Sequence, residues 1–136
     1  MNSVRDWLES AYYDLLVIEN IIENPHLTHM VAFHAQQSVE KSLKALMEHK
    51  QMEIPKVHTL VRLNHMLDDI IRDIETLKIL DSLYIDSRYP GELGLLPYGK
   101  PTLEDAKAFY EFAQSVFDMI CEFLQIDKNG LIGKRT

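Results

Sequence analysis

Residues 28–49 read THMVAFHAQQSVEKSLKALMEH, and the fold follows from this stretch. Ala32, Ala35, Val39, Leu43 and Leu46 recur at intervals of three and four, the period of one face of an α-helix. Two of the five are alanines, so a neighbouring helix can approach closely. His34, Gln37, Lys41 and Lys44 form a second row beside this stripe, also at helical spacing. An imidazole, an amide and two ammonium groups in one row make a plausible grip for a phosphate and a base or sugar edge. A solvated helix face has the same spacing, with Glu40 and Lys44 placed for an i,i+4 ion pair. A helix–helix contact, its polar row pairing across a subunit interface, is a third reading.

The flanking segments have the same period. Trp7, Leu8, Ala11, Leu15, Ile18 and Ile22 predict a helix over about 3–24, opened by Ser3 with Asp6 and stopped at Pro25. Thr59 is placed to cap a shorter helix through Leu60, Leu63, Met66, Leu67 and Ile70. A fourth helix through Ile74, Leu77, Leu80 and Tyr84 follows a bend near Ile71 to Asp73 and ends near Ser87. Residues 89–101 hold Pro90, Gly91, Gly94, Pro97, Gly99 and Pro101, too many breakers for a helix. Thr102 with Asp105 opens a last helix, to about Ile126, with Ala106, Phe109, Ala113, Phe117 and Ile120 inward. The expectation is an all-α, up-and-down bundle of about five helices. It forms one domain over 1–128, followed by a flexible tail at 129–136.

Composition narrows the function. The chain has 136 residues, 46% hydrophobic and 26% charged, ordinary values for one globular core. A net charge of −7 argues against generic duplex binding, which needs a basic surface. A small groove for a nucleotide or one RNA strand remains open. The single cysteine, Cys121, lies among Phe117, Ile120, Phe123 and Leu124 and reads as a core residue. No signal-peptide pattern and no membrane-length apolar run is present, so a cytoplasmic location is expected. None of the six histidines lies in a helical Glu-x-x-His pair, and no metal or other cofactor is expected. Arg88 either favours the helix dipole in its last turn or binds phosphate, with Tyr89 stacking on a base. The loop that follows carries Tyr98, able to close over a ligand.

The string from Phe33 to Leu46, then Pro55 with His58, Thr59 and Leu60, then Ser87, Arg88, Tyr89 and Pro90, resembles the HEPN family. The name stands for a nucleotide-binding domain of higher eukaryotes and prokaryotes. The resemblance spans about Ser3 to Ile126 and implies a helical bundle, often a homodimer. It also implies one of two functions. Small members partner a separate minimal nucleotidyltransferase and bind nucleotide or substrate. Others are metal-independent ribonuclease toxins that use an Arg-x4-6-His motif. Here the positions that would hold the histidine after Arg88 are Leu93, Gly94 and Leu95, so that motif is not found. The resemblance therefore points to binding by His34, Gln37, Lys41, Lys44, His58, Arg88 and Tyr89, with no membrane partner. The alternatives are a ribonuclease in which His34 or His58 replaces the missing base, and a purely structural dimerising bundle.

Overall fold

A computed structural model describes residues 3–87 and 99–133. Six helices form among the described residues: α1 (Ser3–Ile21), α2 (Thr28–His49), α3 (Leu60–Met66), α4 (Ile74–Ser87), α5 (Leu103–Leu124) and α6 (Asn129–Gly133). The chain is an all-α bundle. Arg88 and Tyr89, together with the rest of residues 88–98, lie outside the described residues. No helix among the described residues is long and apolar enough to cross a membrane.

The bundle is built around α2, which packs against α1, α3, α4 and α5. Its stripe of Ala32, Ala35, Val39, Leu43 and Leu46 is buried, as the spacing predicts. The burial extends much further round the helix than that stripe. Every residue of α2 from Thr28 to Glu48 is buried or half-buried, so no solvated face exists before the last turn. Ser38 lies fully inside and donates from Oγ to the Ala11 carbonyl of α1 at 3.0 Å. Ser42 turns its hydroxyl back to the Ser38 carbonyl at 2.8 Å. Small side chains let α1 come close enough for a hydroxyl to span the gap, and buried polar atoms must find such partners.

Two joints depend on long-range polar contacts. Thr59 stands at the start of α3, but its side chain makes no cap bond. The Asp81 carboxylate, from α4, takes that role. It accepts from the backbone N–H groups of Leu60 (2.7 Å) and Val61 (3.1 Å). A negative charge on the free N–H groups of a first turn is the favourable placement for a carboxylate. Burial pushes the Asp81 carboxyl above its ordinary range, while the two N–H bonds pull it down. The second joint is the break between α3 and α4. Asp68 and Asp69 both have left-handed backbones (φ 59° and 55°), a conformation aspartate tolerates better than most residues. Asn64, fully buried, holds the bend: it donates to the Ile71 carbonyl (2.9 Å) and accepts from the Ile71 N–H (2.8 Å). The helical path thus breaks from Leu67, earlier than the expected bend at Ile71.

At the far end, Thr102 and Asp105 form the reciprocal capping box of α5. Cys121 is buried in α5, and burial with nearby Asp118 pushes its thiol up to about 11. It is an unreactive core thiol at neutral pH. The segment after 128, expected as a flexible tail, begins with the short helix α6. Leu131 is buried against the core, and Arg5 donates to the Gly130 carbonyl at 2.7 Å.

Asn64→Ala would leave two buried backbone groups of Ile71 without partners. The expected loss is about 2–4 kcal/mol of folding stability in a urea melt. A loss below about 0.5 kcal/mol, within the range of an ordinary surface substitution, would show that the bend is set by other contacts.

Candidate functional site

The polar row of α2 divides into two carboxylate-centred clusters. The first is centred on Asp14, a buried residue of α1. Its Oδ1 meets His34 Nδ1 at 2.9 Å and its Oδ2 accepts from Lys41 Nζ at 2.8 Å. His34 and Lys41 are seven residues apart on α2, two turns on one face, so a single carboxylate can bridge them. Both keep part of their surface in solvent.

The second cluster is centred on Glu40, which is itself buried. Its Oε2 accepts from Lys44 Nζ at 3.0 Å and meets His58 Nδ1 at 2.9 Å. Gln36 lies fully inside and donates from Nε2 to the His58 carbonyl at 2.8 Å. Gln37 donates in turn to Gln36 Oε1 at 2.8 Å. The Lys44 side chain is only 5% exposed, and its ammonium lies 5.6 Å from the Trp7 ring centroid, a cation–π contact. His58 is the opposite case. Its ring is 55% exposed, although its Nδ1 and its carbonyl are both held by buried side chains of α2.

Aromatic rings join the two clusters. Phe33 stacks on Tyr84 of α4 at 5.4 Å and 22°. His34 meets Phe33 edge-on at 5.3 Å, and His58 lies 6.3 Å from Tyr84. The order across this surface is therefore His34, Phe33, Tyr84, His58.

These positions change the reading of the row. His34, Gln37, Lys41 and His58 are half-buried or exposed. Lys44 points into the bundle and neutralises Glu40, so it supports the site from behind. Arg88 and Tyr89 follow Tyr84 in sequence within residues 88–98. Asp14, Gln36, Glu40 and Tyr84 join the arrangement without having been singled out as site residues. Glu40 had a sequence signal in its i,i+4 spacing from Lys44. Asp14 and Tyr84 had none, because their contacts cross between helices.

Elsewhere, His26 is exposed and its carbonyl accepts from Lys100 Nζ at 3.1 Å. His29 is half-buried, and burial together with Lys100 lowers its basicity, leaving a neutral ring at pH 7. Among the described residues no group of three His, Cys, Asp or Glu side chains is placed to hold a metal.

The HEPN domain family matches residues 4–124. The crystal structure of TT1696 from Thermus thermophilus is similar to this fold, with a TM-score of 0.65 and 25% sequence identity. The match covers 90% of this chain and 98% of that one. No curated protein matches the chain.

Lys44→Ala would leave Glu40 buried without its principal counter-charge. The expected cost is about 3–5 kcal/mol in chemical denaturation. Lys41→Ala also removes a counter-charge from a buried carboxylate, but Lys41 keeps more solvent and Asp14 keeps His34, so the expected cost is smaller, about 1–3 kcal/mol. A larger cost for Lys41→Ala than for Lys44→Ala would contradict this ranking.

Proposed function

The chain belongs to the HEPN family, and from that premise we propose that it binds a nucleotide or a single strand of RNA at the His34–Phe33–Tyr84–His58 surface. It does so as a homodimer that partners a separate minimal nucleotidyltransferase. The observation that carries this reading is the pair of buried carboxylates holding three accessible nitrogen groups around one aromatic stack. Asp14 positions His34 and Lys41, and Glu40 positions His58.

The chemistry suits a nucleotide. A base has two π-faces, and the edge of the Phe33–Tyr84 pair offers an apolar surface for one of them. Lys41 gives Asp14 one of three ammonium protons and keeps the others for a phosphate oxygen. Histidine rings on either side, each with Nδ1 turned to a carboxylate, leave Nε2 as an acceptor for a base or sugar hydrogen. Gln37, half-buried on the same helix, adds an amide. Arg88 and Tyr89 enter the proposal from sequence alone, the guanidinium for a phosphate and the ring for a second base.

A net charge of −7 is consistent with a short ligand contacted by few cations. Affinity should then fall only gently with salt, because few phosphates are neutralised. Lys41→Ala and Arg88→Ala are each expected to weaken binding of a short mixed-sequence single-stranded RNA by about tenfold. Fluorescence anisotropy measures this directly. Unchanged affinity in both variants would remove this surface from consideration. Light scattering on the wild-type chain tests the homodimer, and co-purification with the nucleotidyltransferase tests the partnership.

A further inference from the structure

Two clefts open at the α3–α4 joint, away from the aromatic surface. Ile74 and Tyr84 stand ten residues apart on α4, about 15 Å along its axis. The first cleft, about 350 Å³, is lined by Val61, His65, Asp69, Ile71, Arg72 and Ile74. The second, about 380 Å³, lies against α5, where Phe112, Val116 and Met119 face Ile70 across it. Ile71 and Arg72 line both clefts. A concave site of this size, mostly apolar with a few polar groups, is the usual form of a small-molecule pocket. Its floor is fixed in advance. Ile71 and Val116 are buried, and both backbone groups of Ile71 are held by the interior Asn64. Little ordering is left for a ligand to impose.

The charges at the joint select the ligand. Asp69 faces His65 at 3.7 Å, and Asp73 accepts from the Thr76 N–H at 3.1 Å and its hydroxyl at 2.6 Å. Both acids therefore have partners. Among the described residues the Arg72 guanidinium has none, and it is the charged group common to the two clefts. A guanidinium takes a carboxylate through two parallel hydrogen bonds. A second negative charge on the ligand would meet Asp69 and Asp73, so the head group carries only one. The same two acids disfavour the phosphates of a nucleotide here.

We propose that this joint binds a small amphipathic monocarboxylate, its head group on Arg72 and its apolar chain in the cleft between Ile70 and α5. The site is independent of the RNA-binding reading, so either can fail alone.

Octanoate is the probe, with 1-octanol and octylammonium as chain-matched controls, each titrated into the full chain and followed by amide NMR shifts. Octanoate should saturate, with shifts centred on residues 70–73 and 112–119. It should bind about fivefold more tightly than 1-octanol, the contribution of one partly solvated ion pair. Octylammonium should bind most weakly. Arg72→Gln, at an exposed position, should bring octanoate and 1-octanol to equal affinity. Ser115→Trp, also at an exposed position, fills the α5 cleft and should weaken both ligands alike. Equal affinity of octanoate and 1-octanol for wild type overturns the proposal. So do shifts that never saturate or that centre outside both segments, or octanoate binding that either substitution leaves unchanged.

Discussion

Glu40 carries a negative charge on a helix that has no solvated side, and much of the molecule is arranged around that fact. An ionised carboxylate in a bundle interior costs several kcal/mol unless it is paired and hydrogen-bonded. Lys44, one turn on, supplies the charge, and the Trp7 ring receives the other side of its ammonium. Gln36 and His58 supply hydrogen-bonding groups. Because His58 belongs to the segment between α2 and α3, the same carboxylate ties that segment to the bundle. Asp81 then fixes the start of α3 from α4, so charge on interior carboxylates sets the course of the chain through its middle third.

The same constraint explains why the surface at His34, Phe33, Tyr84 and His58 is well defined. Each histidine has one nitrogen turned to a buried acid and the other left over. Neither ring depends on a flexible neighbour for its orientation. The helices hold these groups, which would have little freedom to lose on binding a ligand. Lys41 shares this property through Asp14, whereas Lys44 has exchanged solvent contact for a structural task.

How far the sequence could be read follows from the range of each interaction. The long helices α1, α2 and α5 were legible because their apolar periods are local. The Thr102–Asp105 box was legible for the same reason, since its partners are three residues apart. The α3–α4 break comes earlier than the sequence suggests because Asn64, rather than a glycine or proline, makes it. Its side chain closes on Ile71, and two aspartates adopt the left-handed backbone that glycine usually marks. Thr59 looked like a cap because of its position, but the cap came from Asp81, twenty-one residues beyond Leu60. The spacing of the polar row of α2 is legible, but it leaves a ligand grip, a solvated face and a helix–helix contact equally open. Helical spacing fixes which residues are neighbours. It does not reveal that Asp14 of α1 pulls His34 and Lys41 one way while Glu40 draws Lys44 inward. Arg88 and Tyr89 lie outside the described residues.

The central claim is that two buried carboxylates hold His34 and His58 by Nδ1. Long-range nitrogen–proton NMR correlations of the imidazole rings test it most directly. In the neutral form of each ring, both residues should show Nδ1 protonated and Nε2 bare, the less common tautomer of a free histidine. Substituting Asp14→Asn should disturb only His34, and Glu40→Gln only His58. Both rings in the ordinary Nε2-protonated form, indifferent to these substitutions, would contradict the account.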